Sequence, residues 1–520
     1  MDYRKNYLKI YFWQTISVLL GFAALFIVVP YISSNKTIFG IYSVCTSLTI
    51  FFSYADLGFL SSGVKYAAEY YIKGQHKDEI RIVGFTCFIM VGVFSILALG
   101  IVVLGIFPKL LIPELMDGSV QMGIARWLLF TLAVSCPVII GQRLLNLVFT
   151  IRVEDYKFQR INIVGNVIRI LSVFYFFGGA RYMIVEYYMF YQAVSLGVVA
   201  VALLYARKHY NYGFHEFFST FRFDRDIFNK VKKLSATALI MTVSMILYYE
   251  LDQIVISNLL GIEAVAIYAV ALSVLQLVRT FCSIVYSPYT SRYNHYVGLN
   301  DYEGLTHFVK KMIMVFAPVL IIPILTLSLL AKPFVLSWVG NQYLDSCILV
   351  SFLVLSFVFN FIKDPIGQYF VATERNSILI KYNLLIPIVF WIGVFVLVGT
   401  LNTKAFAIMK FAAPTVYVIA YWSIATKDFR ERGFNFLSIG QLFKTVVSTI
   451  LIVLLLTWMF SLFMIEEHTK SALLINLLLM VCSVGTSMAL SIPLNDELSM
   501  EVMRYYKTLI SKMHKIRTYK

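Results

Sequence analysis

Charge is scarce in this chain: 14% of its 520 residues are Asp, Glu, Lys or Arg, against about a quarter in a soluble domain. That shortage excludes an ordinary water-soluble fold, whose surface is hydrated by charged side chains. Cysteine offers no framework either. The six cysteines (Cys45, Cys87, Cys136, Cys282, Cys347 and Cys482) are scattered through apolar segments without a CxxC pair or a Cys/His cluster, so neither zinc nor a disulfide scaffold is indicated. No metal and no other cofactor is expected. Catalytic signatures are also missing: there is no phosphate loop of the form GxxxxGK followed by Ser or Thr, no GxSxG elbow and no HExxH helix. His215-Glu216 runs on into Phe217-Phe218-Ser219, which breaks the zincin spacing. ATP hydrolysis therefore has no machinery here, no catalytic residue is assigned, and the chain is expected not to be an enzyme. A short cleavable leader is lacking too. The first apolar stretch, from about Lys9 to Ile32, is long enough to span a bilayer and is expected to remain as the first helix.

What is present is apolar surface: 60% of residues are hydrophobic and 16% aromatic. The apolar runs predict an all-α integral membrane protein of about fourteen transmembrane helices. Their approximate limits are 9–32, 38–60, 81–107, 121–150, 159–178, 183–206, 233–257, 263–288, 309–331, 341–370, 381–400, 404–425, 442–465 and 471–491. A net charge of +16 taken alone suggests nucleic acid, but the placement of the bases matters more than their sum. With the N-terminus inside, roughly 32 of the 44 Lys and Arg fall on cytoplasmic segments. These include Arg4, Lys5, Lys73, Lys77, Arg207, Lys208, Lys230, Lys232, Lys233, Arg430, Arg432, Lys512, Lys515 and Arg517. About six lie outside: Lys36, Lys109, Arg181, Lys332, Lys404 and Lys470. Both termini are accordingly placed in the cytoplasm. The basic excess is topology together with affinity for anionic membrane lipids, and nucleic acid is not expected as a partner.

The outer connections are short, the longest running around Pro108 to Val120, so no extracytoplasmic catalytic domain fits. The largest inner connection, Arg207 to Leu234, sets Phe214, Phe217, Phe218, Phe221, Phe223 and Phe228 among basic residues, the pattern of a segment lying on the membrane surface. It separates two copies of a repeat. Ile41-Tyr42-Ser43-Val44 opens the second span and Ile267-Tyr268-Ala269-Val270 the eighth, at the same point of a six-helix count. An even repeat relates the halves by an axis along the membrane normal. The expected division is an N-terminal six-helix lobe over 1–206, a cytoplasmic amphipathic connection over 207–232, and a C-terminal six-helix lobe over 233–430. Spans thirteen and fourteen with a basic cytoplasmic tail follow over 431–520. Pro30, Pro137, Pro318, Pro323, Pro387 and Pro414 interrupt spans and predict kinks.

Six bases stand inside the spans: Arg126, Arg143, Arg169, Arg279, Lys363 and Lys410. A base facing lipid at depth costs roughly 3 kcal/mol or more, so such residues face a bundle interior or a watery cavity, and together they point to transport of something anionic. Arg169 lies nearest the midplane, Arg143 and Arg279 in inner halves, Arg126 and Lys410 in outer halves. Arg126, Lys363 and Lys410 also fit simpler explanations. Arg126 can snorkel to an outer headgroup, and Lys363 neighbours Asp364 near the inner end of its span. The embedded acids are Asp56, Glu250 and Asp252, candidates for ion coupling or for structural ion pairs. On one continuous helix Glu250 and Asp252 would point about 200° apart and would not share a site.

The run Phe39-Gly40-Ile41-Tyr42 through Tyr54-Ala55-Asp56-Leu57-Gly58-Phe59, then Val64-Lys65-Tyr66-Ala67-Ala68-Glu69-Tyr70, resembles the stretch "G-x-Y, D-L-G, ry-a-e" of bacterial polysaccharide exporters. This is the O-antigen flippase (Wzx) family of the multidrug/oligosaccharidyl-lipid/polysaccharide exporter superfamily. Asp252-Gln253-Ile254-Val255-Ile256 and Gly261 to Tyr268 are similar to the corresponding stretch at spans seven and eight. The resemblance implies two six-helix lobes around a central cationic cavity, with two further helices beside them. It also implies export of an undecaprenyl-pyrophosphate-linked oligosaccharide from the cytoplasmic to the outer leaflet of the bacterial inner membrane, for O-antigen, lipopolysaccharide or capsule synthesis. A polysaccharide polymerase and a chain-length regulator would then be partners. Family members often carry arginines in the first span, and this chain has none there. The alternatives are a lipid II flippase, which needs the same cationic groove, and a cation-coupled multidrug exporter, whose cavity would favour acids over isolated bases.

Overall fold

The computed structural model describes residues 3–504 other than 55, 57, 180, 211–213 and 287–288. Ala55 and Leu57 of the Asp-Leu-Gly stretch, and the tail bases Lys512, Lys515 and Arg517, therefore lie outside the described residues. All regular structure among the described residues is helical. Among the described residues twelve helical stretches, some of them formed by two successive helices, are long and apolar enough to cross a membrane. Two of the expected fourteen spans fall short of that measure for physical reasons. The second is broken: α2 (Lys36–Ser47) and α3 (Thr49–Tyr54) end before α4 (Phe59–Ile72), with Gly58 in the left-handed region at φ 77°. A side chain there would be strained, and the glycine lets its N–H turn back to Asp56 Oδ1 at 3.2 Å. The fifth, α8 (Asp155–Phe176), has 22 residues, about 33 Å at 1.5 Å per residue, and is long enough to cross. Its apolar character is diluted by Arg160, Asn162, Asn166 and Arg169.

By contact the chain divides into Met1–Ala269 and Val270–Lys520. In the first unit α1 (Tyr3–Ile32) packs along α8, and α8 along α9 (Ile184–Tyr210). The long α5 (His76–Ile106) packs against α4, α6 (Val120–Val134) and α7 (Cys136–Ile151). The expected fourth span is thus two helices meeting at Ser135, with Pro137 in the first turn of the second. Gly40 in α2 sits where a Cβ would lie 2.3 Å from the carbonyl oxygen of Ile262, so only glycine permits that approach. The inner connection forms the short α10 (Phe214–Thr220) against α5, then α11 (Arg225–Tyr249). Its aromatics split between two environments. Phe221 meets Phe88 and Phe223 meets Phe85, although Phe223, like Phe218, keeps much of its ring exposed.

Asp224 caps α11 by accepting from the amides of Asp226 and Ile227, and Arg81 Nε donates to its Oδ2 at 2.6 Å. Burial alone would raise this carboxyl, but the Ile227 amide and the Arg81 guanidinium hold it below its ordinary range.

In the second unit α15 (Tyr302–Leu329) is the enclosed centre, carrying Pro318 and Pro323 within the helix. It packs against α17 (Ser346–Leu355), α18 (Asn360–Ala372), α21 (Ile439–Ser461) and α22 (Lys470–Ser491). The tenth expected span is split between α17 and α18. α19 (Asn376–Leu401) and α20 (Thr403–Glu431) form an adjacent hairpin containing Pro387 and Pro414.

Candidate functional site

Arg169 is the most completely built of the embedded bases. Its side chain is 9% exposed. The helical register of α8 brings Asn166 one turn below it, and Nη1 donates to Asn166 Oδ1 at 2.7 Å. Packing of α9 supplies the rest: Nη2 donates to Ser195 Oγ at 2.7 Å, and the guanidinium carbon stands 4.3 Å from the Tyr191 ring centre. These contacts orient the fork without neutralising it. Among the described residues its partners are Asn166, Ser195 and Tyr191 and no carboxylate, and its Nε has no hydrogen-bond partner.

Arg143 and Asp56 are brought together, with Arg143 Nη1 3.9 Å from Asp56 Oδ2 and both side chains half-buried. This is a loose pair, longer than a direct charge-assisted hydrogen bond. It joins a base from α7 to the carboxylate at the break before α4, and sequence distance concealed it. Arg126 in α6 is exposed beside the exposed Trp127.

Glu250 and Asp252 do not lie on one helix. Glu250 ends α11, while Asp252 opens α12 (Asp252–Leu260) after a break at Leu251. The helical register is interrupted there, at Glu250 with φ −122° and ψ −17°, while Leu251 keeps helical dihedrals. Asp252 is fully buried and accepts from the hydroxyl of Tyr268 at 2.5 Å. Tyr268 belongs to the Ile-Tyr-Ala-Val repeat segment. Its role as the acid's partner was visible to sequence reasoning only as a repeat position.

The other three bases belong to the second unit. Arg279 lies half-buried in α13 (Ile262–Tyr286). Lys363 is 3.9 Å from Asp364 and 5.6 Å from the ring centre of Tyr417. Lys410 is 0% exposed, with its ammonium 5.3 Å from the Phe390 ring centre. Its simpler explanation is burial itself: the side chain is enclosed where α20 packs on α19.

Within its own unit each base that is not sealed from the surface can hold anionic oxygen by charge and, at arginine, by paired donors; Lys410 is enclosed. Sequence reading missed Asn166, Tyr191 and Ser195. Asn166 stood at the right spacing, three residues before Arg169; nothing local marks the two on α9.

A family model described as polysaccharide biosynthesis protein matches residues 4–294. No curated protein sequence matches the chain. Among solved structures the chain is similar to "Lipid II flippase MurJ, inward closed conformation", at 14% identity and TM-score 0.69, covering 92% of this chain and 98% of the other. It is also similar to an inward-facing multidrug resistance MATE family transporter of the MOP superfamily, at 13% identity and TM-score 0.63, covering 80% of this chain and 96% of the other. At such identities the likeness is one of fold: a multi-pass, all-helical membrane protein built as these transporters are.

Proposed function

Because the chain belongs to the polysaccharide biosynthesis protein family, we propose that it is a lipid-linked oligosaccharide flippase. It would carry undecaprenyl-pyrophosphate-linked repeat units from the cytoplasmic to the outer leaflet by alternating access of its two halves, for O-antigen- or capsule-type polysaccharide. The observation that supports this most strongly is Arg169, a permanently charged, membrane-embedded guanidinium held only by Asn166, Ser195 and Tyr191 among the described residues. A fixed cation without a carboxylate is costly in a bilayer interior and is matched by an anionic substrate group. Arg143 and Arg279 are assigned as further pyrophosphate handles, and Arg126, Lys363 and Lys410 as auxiliary bases. Asp56, Glu250 and Asp252 serve ion coupling or structural ion pairing. An inside-negative potential favours outward movement of the anion by roughly 2.3 kcal/mol per charge per 100 mV, offset by any base that moves with it. Both termini are placed in the cytoplasm. A polymerase and a chain-length regulator would act on the exported unit.

The test is complementation. In a strain lacking its own polysaccharide flippase, the wild-type chain should restore surface polysaccharide, and Arg143→Ala, Arg169→Ala and Arg279→Ala should each lower it at equal membrane abundance. Wild-type polysaccharide in all three variants would remove the site assignment. Rescue of a lipid II flippase depletion without rescue of surface polysaccharide would replace this substrate with lipid II.

A further inference from the structure

A second basic feature lies on a different face of α8 from Arg169. Arg160 and Arg169 are nine residues apart, so at 100° per residue their side chains leave the helix in about opposite directions. Arg160 borders an open groove of about 940 Å3 formed by α1, α8 and α9 within the first unit. One end of this groove is cationic and aromatic. The exposed Arg160 guanidinium lies 5.0 Å from the Trp13 ring centre, and the exposed Lys9 ammonium 5.2 Å from that of Tyr156. Among the described residues neither base makes an ion pair. Lys157, the third base at this end, is already neutralised by Glu154 at 2.7 Å.

The rest of the groove is apolar. Val164, Ile168 and Val201 are exposed along its rim. Its floor is low because two glycines face it. Gly165 lets the helices close, since a Cβ there would lie 2.5 Å from Val198, while a Cβ at Gly197 would meet nothing within 4 Å. The trough is therefore open space at Gly197, and not merely a contact line between α8 and α9.

We infer that this groove is a binding site for an anionic phospholipid, its phosphate on Lys9 and Arg160 and one acyl chain over Gly197. Three observations favour this occupant. The two bases, without an ion pair among the described residues, complement a phosphate and lie beside an indole and a phenol, the side chains that sit at headgroup level. The apolar rim would not suit an aqueous sugar-binding cavity. Its length also fits: from Arg160 to Ile168 is eight residues, about 12 Å of helix, close to the roughly 15 Å of one hydrocarbon leaflet. A long polyprenyl chain would overrun it.

Native mass spectrometry of the full chain in detergent, titrated with dioleoyl phosphatidylglycerol or dioleoyl phosphatidylcholine, tests the assignment. The wild type should retain phosphatidylglycerol preferentially. Lys9→Ala and Arg160→Ala should each weaken it about fivefold, and Lys404→Ala, on an exposed base of the second unit, should not. Gly197→Phe should abolish the preference while leaving the melting temperature unchanged. The two basic substitutions are at exposed side chains, so they report binding even if Gly197→Phe disturbs folding. Equal retention of both lipids by the wild type, or undiminished phosphatidylglycerol preference in Lys9→Ala/Arg160→Ala, would overturn the inference. So would stronger retention of undecaprenyl phosphate lost in the same variants, or a lipid-free dimer dissociated by them.

Discussion

Arg152 Nη2 donates to Glu79 Oε1 at 2.6 Å, with the two side chains 2% and 0% exposed, and the guanidinium is faced by the rings of Tyr71 and Tyr210 at 4.8 and 4.7 Å. This sealed pair ties the start of α5 to the end of α7. Removing one partner strands a buried charge, whereas removing both does not. Glu79→Ala should therefore destabilise the protein by about 3–5 kcal/mol, and Glu79→Met with Arg152→Met should recover most of the loss. Thermal unfolding in detergent would measure both; equal damage from the single and the double variant would contradict the argument.

Gly40→Ala drives a Cβ into the backbone of Ile262, at 2.3 Å from its oxygen. Backbone cannot rotate away as a side chain can, so the cost should exceed the 1–3 kcal/mol or so typical of overpacking, and folded yield should fall sharply. Gly92→Ala, which meets nothing within 4 Å, should leave yield and melting temperature unchanged.

Ser195→Ala removes one of the two hydrogen bonds to the Arg169 guanidinium. A hydrogen bond to a charged group contributes about 1.5–3 kcal/mol, which a melting shift should register. Arg169→Lys keeps the charge but loses the fork. On the proposed function it should lower surface polysaccharide at unchanged membrane abundance, and full activity would show that charge alone suffices.

Tyr268→Phe withdraws the hydroxyl that donates to buried Asp252. The expected cost is about 1–3 kcal/mol, since buried oxygen loses a donor that water does not replace. A melting point equal to wild type would show that another group takes over.

Asp224 has a depressed folded-state pKa, so its contribution to stability is complete above the ordinary carboxylate value of about 3.9 and is lost as pH falls through the lower folded value. Hydrogen exchange in the first turn of α11 should accelerate in that acid window in the wild type. In Asp224→Asn the Arg81 ion pair is gone at all pH values, and the acceleration should be absent.

The sequence made the spans legible because membrane helices announce themselves by uninterrupted apolar length, a property each segment carries alone. It also singled out Arg169 by depth and Asp252 by charge. Breaks were harder to read. The turn after Glu250 and the split at Ser135 interrupt stretches whose hydropathy is continuous, and hydropathy is blind to backbone direction. Two of the breaks had a local mark, the Asp56–Gly58 turn in its glycine and the split at Ser135 in Pro137.

By itself, then, the sequence determined that this chain lives in a membrane, about how often it crosses, and which charges need a reason to be there. Tertiary structure alone decided what each charge meets. Glu79 and Arg152 find each other across 73 residues, and Lys410 is enclosed against Phe390. Arg169 is held by a serine and a tyrosine of another helix, while Arg160, nine positions earlier, opens on a groove. Periodicity records which face of a helix is apolar; the partner on that face is set by which helices pack together.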